Sequence, residues 1–370
     1  MESKKISEIS IIKTGKYDAN HAVEDGQYKF FTCGINQLQS NTYSFDGELI
    51  LLPGNGANLG EVFYHKGKAE AYQRTYVLSE IKCNVRFMYY FLKHKWYRHV
   101  KRREVGSATN YMKYNDIADL KIPLPPLPMQ KKIVRVLDKA RELIDLRGEQ
   151  IRLLDELVQS VFYDMFGDPV GNPMGWEVRK LEEITTKITD GVHSKPDYTG
   201  EGVPFISVKD IGTGSLIFDD CKFISPDSHE KYIKRCKPEK GDILYTKVGA
   251  RYGIPAIVDS DKEFSLYVSV ALIKPRLEII KSVYLREVMK IPFVYRQAVR
   301  SIKGIGVPDL HLKEIKKFLI PVPTIEEQNN FIRKIQKIEA QKSLMQQSLD
   351  EMKNNYNSLM QRAFKGELFS

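Results

Sequence analysis

The sequence contains few cysteines, and their spacing excludes several classes of small domain. Four are present, Cys33, Cys83, Cys221 and Cys236, and no two of them form a C-x-x-C pair. Isolated cysteines argue against zinc ribbons and disulfide scaffolds, in which thiols come in closely spaced sets. We therefore expect reduced and mostly buried thiols in a cytoplasmic protein.

Long apolar runs are also missing. No stretch approaches the roughly 18 consecutive apolar residues that a membrane span requires. The first residues, MESKKISEIS, are charged and polar and lack the apolar region of an export signal. The chain of 370 residues, 42% of them apolar and 11% aromatic, has a globular composition. This length predicts about two or three domains, and we expect no membrane partner.

Signatures of catalysis are absent as well. The glycines of GNGANLG, at residues 54–60, lack the spacing of a dinucleotide-binding loop, and a strand-like segment follows where that loop needs a helix N-terminus. The 7 histidines form no H-E-x-x-H motif. We also find no G-x-S-x-G, P-loop, nuclease-like carboxylate pair or methyltransferase Asn-Pro-Pro motif. The sequence thus predicts no catalytic residue, no metal site and no cofactor in this chain.

Acidic residues are the minority among the charged residues. The chain has 57 Lys and Arg against 47 Asp and Glu, a formal net charge of +10. A basic surplus of this size favours a polyanionic partner. It is also compatible with a basic protein that binds no nucleic acid, and composition alone does not separate the two.

The most informative feature is an internal repeat. Shifting the chain by 198 residues superimposes KIPLPPLPMQKKI, at residues 121–133, on LIPVPTIEEQNNF, at residues 319–331. The gapless match includes Ile117 with Ile315, Pro123 with Pro321, Gln130 with Gln328, Ser160 with Ser358 and Phe166 with Phe364. Upstream the match is weaker and its offset drifts, although residues 48–60 still resemble residues 242–253. Each half therefore has a variable front and a better-matched back.

The back portions predict two long helices that pair with each other. Apolar residues recur at alternate spacings of four and three, as at the a and d positions of a coiled coil. This seam includes Ile133, Leu137, Ile144, Ile151 and Leu154 in the first copy and Ile335, Ile338, Leu349 and Met352 in the second. Each copy also carries one basic seam residue, Arg147 or Lys342. The alternative is two amphipathic helices packed on separate bodies.

Prolines and capping residues predict where these helices begin and end. The prolines at positions 123, 125, 126 and 128 place the first helix start near Met129, because proline cannot sit inside a helix. Thr324 followed by Glu327 has the pattern of a capping box for the second helix. Turn residues in FGDPVGNPMG, at residues 166–175, end the first helix.

The front portions predict two compact α/β modules. Short β-rich runs such as KFFTC, LILL, VPFISV, DILYT and YVSVALI are separated by turn residues. Each front ends in an expected helix, at residues 86–103 and 282–300. The predicted fold class is mixed α+β with a pseudo-two-fold internal repeat. The predicted segments are 1–122, the first module; 123–168, the first proline hinge and helix; 169–320, the second module; and 321–370, the second proline hinge and helix.

This organisation has a geometric consequence. If the two helices pair antiparallel, the modules lie at opposite ends of a rod. A helix of about 38 residues is roughly 57 Å long. On B-DNA that length corresponds to about 15 base pairs. Such a chain would measure the distance between two bound segments.

Basic and amide side chains supply candidate DNA contacts. Residues 93–114, KHKWYRHVKRREVGSATNYMKY, contain six Lys or Arg between Lys93 and Arg103, with Trp96 and Tyr97 among them. Basic groups neutralise phosphates, and aromatic rings pack on sugars or bases. A solvated helix face is the alternative. The second half has a thinner counterpart that ends in Arg300 and Lys303.

Two glycine-rich loops carry the remaining candidates. TKVGARYG, at residues 246–253, presents Lys247 and Arg251, and an arginine on such a loop suits a guanine edge. The matching loop of the first half presents Asn55 and Asn58, whose amides suit adenine. The full set of candidate DNA contacts is Asn55, Asn58, Arg74, Lys101, Arg102, Lys209, Lys247, Arg251, Arg300 and Lys303.

These segments together resemble a known family. The doubled IPLPPLPMQ and IPVPTIEEQ, the segments SVFYDMFGD and LMQRAFKGEL, and GDILYTKVGARYG are similar to the specificity subunit of type I restriction-modification systems. The resemblance covers nearly the whole chain. One departure is LPMQKK in the first copy, where the acidic IEEQNN of the second is more usual.

The resemblance implies a function. Each module would be a target-recognition domain that reads one half of a split site in double-stranded DNA. The two helices would form an antiparallel coiled coil that sets the unread gap and docks two modification subunits. These subunits would carry S-adenosylmethionine, and two restriction subunits, with ATP and Mg, could join them. The alternatives are a scaffold that binds proteins or RNA and an enzyme with an unrecognised centre.

Overall fold

The computed structural model describes residues 2–101, 111–212, 214–304 and 306–369. The chain divides into two compact units. The first comprises Met1–Glu149 and Met345–Ser370, and the second comprises Gln150–Leu344. The predicted segments 1–122, 123–168, 169–320 and 321–370 stay a prediction.

The described part of the first module, residues 3–101 and 111–118, contains two sheets of three or more strands and one helix longer than five residues. Its elements are β1 (Ser3–Lys5), α1 (Ile6–Ile9), β2 (Ile11–Thr14), β3 (Tyr28–Phe31), β4 (Leu38–Ser40), β5 (Glu48–Pro53), β6 (Phe63–Lys66), β7 (Ala69–Ala71), β8 (Thr75–Ser79), α2 (Val85–Lys101) and α3 (Tyr114–Ala118). An antiparallel sheet has the order β2-β8-β5-β6, and a smaller sheet has the order β4-β3-β7. The β-rich run LILL lies in β5, and the first three residues of KFFTC lie in β3, as predicted.

The first proline segment is a strand followed by a helix start. β9 (Lys121–Pro123) pairs antiparallel with β1, and α4 (Leu127–Phe166) follows. The helix begins two residues before the predicted Met129. Pro128 lies in its first turn, where the missing N–H of proline would have no partner within the helix. The end of α4 at Phe166, followed by Gly167 with φ of 72°, confirms the predicted stop.

The second module, residues 177–315, repeats this plan. Its elements are β10 (Glu177–Lys180), β11 (Thr185–Asp190), β12 (Tyr198–Thr199), β13 (Val203–Ile206), β14 (Lys222–Ile224), α5 (Pro226–Ile233), β15 (Ile243–Thr246), β16 (Pro255–Ile257), β17 (Ser265–Leu266), β18 (Val270–Pro275), α6 (Ser282–Lys290), α7 (Pro292–Ser301) and α8 (Leu312–Ile315). The sheets have the orders β11-β18-β15-β16 and β12-β14-β13-β17. The sheet β2-β8-β5-β6 of the first module and the sheet β11-β18-β15-β16 of the second therefore share one topology, and we call these two the main sheets.

The helix expected at residues 282–300 is wrong as a single element. The structure has two helices, α6 and α7, which are separated at Ile291. Pro292 begins α7, because a proline within a continuous helix would remove one hydrogen bond and clash with the preceding turn. In the first module the corresponding helix α2 is continuous from Val85 to Lys101.

The second proline segment repeats the first. β19 (Leu319–Val322) pairs antiparallel with β10, and α9 (Ile325–Lys365) follows. The backbone N–H of Thr324 donates to Glu327 Oε2 at 3.2 Å, and the Glu327 N–H donates to Thr324 Oγ1 at 3.3 Å. These reciprocal bonds confirm the predicted capping box.

A buried glutamine explains why both copies repeat this segment. Gln130 Nε2 donates to the Pro125 carbonyl at 2.8 Å, and its Oε1 accepts from the Asn84 N–H at 2.9 Å. Gln328 makes the equivalent pair of bonds, to the Pro323 carbonyl at 2.9 Å and from the Lys281 N–H at 2.8 Å. Each glutamine therefore joins a proline turn to the residue that precedes a module helix.

The two long helices pack antiparallel within each unit. In the first unit Ile133 and Leu137, early in α4, share a core with Met360 and Phe364, late in α9. In the second unit Phe162 and Phe166, late in α4, share a core with Phe331 and Ile335, early in α9. The predicted pairing of the helices is thus confirmed.

The predicted seam residues lie at the packed face. The buried residues are Ile133, Leu137, Ile144, Ile335 and Leu349, and the half-buried ones are Ile151, Leu154, Ile338 and Met352.

The four cysteines are free thiols. Cys221 and Cys236 are buried, whereas Cys33 and Cys83 are half-buried. Burial raises the pKa of Cys83 and that of Cys236 to about 12. The expectation of buried thiols therefore holds fully for two of the four.

Candidate nucleic-acid interface

In the first module, the loop between β5 and β6 is held by hydrogen bonds of both backbone groups of its first residue, the N–H and the carbonyl. We call residues 54–60 loop 1. The Gly54 N–H donates to the Arg74 carbonyl at 2.8 Å, and the Gly54 carbonyl accepts from the Met112 N–H at 2.8 Å. Asn55 forms an antiparallel bridge with Tyr111. A Cβ at Gly54 would lie 2.3 Å from the Arg74 carbonyl oxygen, so this close approach requires glycine.

Loop 1 brings four of the predicted DNA contacts to one part of the first module. Asn55 and Asn58 are half-buried on the loop, and Arg74 is exposed beside it. Gly60 lies against Tyr97 of α2, since a Cβ there would be 2.9 Å from the ring atom Cδ2. Lys101, on the last turn of α2, has its Nζ 5.6 Å from the centre of the Tyr97 ring.

Two details of the first module modify the prediction. The Asn58 side chain donates its amide to the Cys33 carbonyl at 2.9 Å, which leaves its oxygen as the free hydrogen-bonding end toward a base. Trp96 is 0% exposed and packs in the core, so the expectation that it lies among the basic residues at the surface is wrong. On α2, Trp96 faces the core while Tyr97 is exposed, because successive helical residues point about 100° apart. The candidate Arg102 lies outside the described residues.

The second module has a matching loop at the end of β15. We call residues 247–253 loop 2. The Lys247 carbonyl accepts from the Leu310 N–H at 2.8 Å, and Val248 forms an antiparallel bridge with Asp309. Gly253 lies against Tyr295 of α7, since a Cβ there would be 2.8 Å from the ring atom Cε2. Loop 2 is therefore held by the same backbone contacts as loop 1.

The tip of loop 2 carries Arg251. Its side chain is exposed, and the guanidinium lies over Gly212, where a Cβ would come within 2.7 Å of Nη1. The planar guanidinium of arginine can donate two hydrogen bonds to the major-groove edge of guanine. Lys209, on the short 3-10 turn before Gly212, is also exposed and donates to the Asp220 carbonyl.

The remaining basic candidates of the second module follow α7. Arg300 is exposed on the last turn of that helix, and Lys303 is exposed just after it. The backbone of Lys303 pairs with Asp309 through two bonds of 3.0 and 2.9 Å. This pairing joins Lys303 to the same strand-like segment that bridges loop 2.

Lys247 does not lie at a surface. It is 5% exposed, and its Nζ lies 3.6 Å from Asp190 Oδ2 and 3.6 Å from Asp309 Oδ1. The side chain points from loop 2 back into the module, so its charge neutralises buried carboxylates. This placement argues against the predicted contact of Lys247 with DNA.

The structure adds basic residues that the sequence did not single out. Arg235 Nη2 donates to Asp190 Oδ1 at 2.5 Å, and Lys222 Nζ lies 4.0 Å from the centre of the Tyr198 ring. Each pair joins residues more than twenty positions apart. No local sequence signal could have revealed them.

Among residues 2–101, 111–212, 214–304 and 306–369, no group of three His, Cys, Asp or Glu side chains could hold a metal ion. Within the same ranges, no helix combines the length and the apolar character needed to cross a membrane.

Comparison with known proteins gives consistent matches over the chain. The family model described as "Type I restriction modification DNA specificity domain" matches residues 1–155 and 173–354. The EcoDI specificity subunit of a type I restriction enzyme from Escherichia coli is 26% identical, over 98% of this chain and 87% of that protein. The MjaVIII specificity subunit of Methanocaldococcus jannaschii is 24% identical, over 86% of this chain and 79% of that protein.

Solved structures share the fold. The S subunit of a type I restriction-modification system from M. genitalium matches with a TM-score of 0.55 at 16% identity, over 98% of this chain and 96% of that one. A chain from a study of complex assembly and conformational transition of the type I R-M system matches with a TM-score of 0.60 at 17% identity, over 99% and 98%.

Proposed function

The chain belongs to the Type I restriction modification DNA specificity domain family, and we propose that each of its two modules reads one half of a split site in double-stranded DNA. Its role is DNA recognition within a type I restriction-modification complex. The observation that carries the proposal is the repetition of one backbone arrangement, loop 1 and loop 2, with different exposed tips. Two readers of different sequences need a common scaffold and different side chains at the base edges.

The proposed contacts fall into two kinds. Arg251, with its exposed guanidinium, and Asn58, with a free amide oxygen, are suited to base edges. Arg74, Lys101 and Arg300 are suited to phosphates, which fix the position of the protein but carry no sequence information. The net charge of +10 favours the approach to DNA.

We assign the spacing of the half-sites and the docking of partners to α4 and α9. Four leucines of α4, Leu143, Leu146, Leu153 and Leu157, remain 42–51% exposed, and they follow each other at spacings of three, seven and four residues. Exposed apolar stripes of this kind mark protein contacts. Two modification subunits are the proposed partners, with or without two restriction subunits. S-adenosylmethionine, ATP and Mg would be bound by those partners, and the complex would act in the cytoplasm.

The first test is base-resolved methylation of DNA from cells that express this chain with a type I modification subunit. We expect a split motif, two short half-sites around a fixed gap, that appears only when the chain is present. Absence of chain-dependent methylation would contradict the proposal and favour a scaffold that binds proteins or RNA. Family membership does not support that alternative.

Single substitutions then assign the half-sites. Arg251→Ala should relax one position of one half-site, and Asn58→Ala should relax one position of the other. Each lost contact should weaken discrimination by about 1–3 kcal/mol. Lys240→Ala is a matched control, because Lys240 pairs with Asp261 at an exposed position of the second module. If both substitutions alter the same half-site, the assignment of one module to each half is wrong.

Insertion of seven residues tests the role of the helices. One heptad added to both α4 and α9 lengthens each helix by roughly 10 Å, which is about three base pairs of B-DNA. The expected motif keeps both half-sites and widens the gap. Altered half-sites at an unchanged gap would contradict this role.

A further inference from the structure

An ion cluster with a buried centre lies beneath loop 2, and the proposed function does not use it. Its centre is Asp190 at the end of β11, which is 3% exposed. Three basic side chains surround this carboxylate: Arg235 Nη2 at 2.5 Å, His193 Nε2 at 3.2 Å and Lys247 Nζ at 3.6 Å. Burial of charge is unfavourable unless every charge is paired, so this cluster constrains the groups around it.

Lys247 connects this centre to a second carboxylate. Its Nζ lies 3.6 Å from Asp309 Oδ1, an atom that is buried and has no hydrogen-bond partner within 3.5 Å. The Asp309 carboxylate therefore depends on the ammonium of Lys247 for its electrostatic partner on that side. His311 Nδ1 lies 3.8 Å from the other oxygen, Asp309 Oδ2.

The cluster joins three separate segments of the second module. Asp190 belongs to β11, Lys247 begins loop 2, and Asp309 belongs to the segment that bridges Val248. Arg251 lies only four residues beyond Lys247 along the same loop. A change in the position of Lys247 would therefore be transmitted directly to the side chain proposed to meet a base.

The first module builds the same junction without charge. The positions equivalent to Asp190 and Lys247 are Thr14 and Gly54, as the matching contacts of Gly15 and Gly191 with the next segment show. There, the Gly54 N–H bonds directly to the Arg74 carbonyl. The Lys247 N–H donates likewise to the Ser269 carbonyl at 3.0 Å, so both loops share the backbone contact and loop 2 adds a buried cation to it.

We propose that Lys247 is a positioning residue for DNA reading by the second module. Its ammonium, shared by Asp190 and Asp309, holds loop 2 against the segment at residues 308–311 and fixes the direction in which Arg251 presents its guanidinium. The inference rests on the proposed function. It assigns specificity to a residue that does not touch DNA.

The test compares Lys247→Met and Asp309→Asn with a matched control, Lys240→Met. Met keeps the length of the lysine side chain without its charge, and Asn keeps the shape of aspartate. Lys240 is a lysine of the same module whose partner Asp261 is exposed. Each full-length variant is expressed with the modification subunit, and the methylated motif is read at base resolution.

For Lys247→Met and for Asp309→Asn, we expect relaxed selectivity in one half-site only. Methylation at sites with one mismatch in that half should rise about tenfold relative to the intact site. The other half-site serves as an internal reference and should keep its sequence. The gap and the motif of Lys240→Met should equal those of the wild type.

Three outcomes would overturn the inference. One is an unchanged motif in both variants, and another is equal loss of selectivity in both half-sites. The third is uniform loss of methylation with a lowered Tm and no change of motif, which would show that the cluster only stabilises the fold. Asp309→Asn guards against a folding failure of Lys247→Met, because the Asp309 side chain is 37% exposed. A wild-type chain without any split motif would instead contradict the proposed function.

Discussion

In the first module Leu49 and Ser79 occupy opposite positions on β5 and β8. The equivalent positions of the second module, beside β15 and on β18, hold Asp242 and Lys274. Lys274 Nζ lies 2.5 Å from Asp242 Oδ2 and 2.9 Å from Glu239 Oε2. An apolar–hydroxyl pair in one module is thus an ion pair between a buried aspartate and a half-buried lysine in the other.

The loops differ in the same way. The first module has Gly54 and Thr14 where the second has Lys247 and Asp190. The ladder hydrogen bonds of the sheets β2-β8-β5-β6 and β11-β18-β15-β16 determine the shared topology. Buried side chains can therefore differ between the modules as long as each charge is paired. The comparison teaches that one scaffold can hold its variable loop by backbone contacts alone or by the same backbone contacts together with buried charge.

The largest effect should come from removing one member of the ion pair. Lys274→Met leaves Asp242, whose side chain is 10% exposed, without its cation, and should cost roughly 3 kcal/mol at pH 7.5. Urea unfolding measures this change. The variant Asp242→Leu with Lys274→Ser, which installs the residues of the first module, should recover most of the loss. A double variant as unstable as Lys274→Met would show that the modules are not interchangeable here.

The same substitution has a pH signature. Burial raises the pKa of Asp242, and Lys274 opposes that shift. Without Lys274 the pKa of the folded state should rise further above that of the unfolded state. The folded variant then binds a proton more tightly, so its stability relative to the wild type should increase as the pH falls from 7.5 to 5. If the loss of stability caused by Lys274→Met were the same at pH 7.5 and pH 5, the proposed role of the Asp242 charge would be contradicted.

The buried glutamines test a feature that the two copies share. Gln328 is 0% exposed and donates to two carbonyls, of Pro323 and Ile279, while it accepts from the Lys281 N–H. Gln328→Leu should cost roughly 2–3 kcal/mol, because it leaves buried backbone groups unpaired. Gln130→Leu should cost less, since Gln130 donates to one carbonyl. Urea unfolding compares the two variants, and a larger loss for Gln130→Leu would contradict this order.

Loop 1 offers a test of backbone contact. Gly54→Ala would place a Cβ 2.3 Å from the Arg74 carbonyl and should cost roughly 2 kcal/mol. Gly56→Ala is a matched control in the same loop, with a φ of 83° but no atom within 4 Å of its Cβ. Its cost should be about 1 kcal/mol, from the backbone conformation alone. Equal losses of thermal stability in the two variants would show that close approach at Gly54 is unimportant.

Local patterns predicted much of the fold. The four-three spacing gave the seam, Thr324 and Glu327 gave the capping box, and the glycines of loop 1 and loop 2 gave matching turns. Each of these signals depends on residues close together in the sequence, where propensity and periodicity act. The second module helix is split at Pro292, a residue visible in the sequence, although the helix expected at residues 282–300 ran through it.

Long-range packing explains what the sequence did not reveal. The sequence predicted Lys247, on a glycine-rich loop, as a candidate DNA contact, and only the fold brings Asp190 and Asp309, each more than fifty residues away, against it. Trp96 lies among basic residues in the sequence, yet the helix turns it into the core. Exposure of a single side chain depends on which face another element covers, and periodicity within one short basic stretch does not specify that.

The smallest effect concerns the seam. Lys342 is equivalent to the buried Ile144 of the first copy, and it contacts Asp155, whose side chain is 59% exposed. An ion pair with so exposed a partner contributes about 0–1 kcal/mol, and added apolar burial can offset its loss. Lys342→Ile should therefore change the free energy of unfolding by less than about 1 kcal/mol. The free energy of unfolding of this variant should depend less on salt than that of the wild type between 0.05 and 0.5 M NaCl, the range over which exposed ion pairs become screened. A loss of several kcal/mol would contradict this prediction. It would mean that the pairing of Lys342 with Asp155 fixes the register of the two helices, since isoleucine is otherwise the more favourable residue at a seam position.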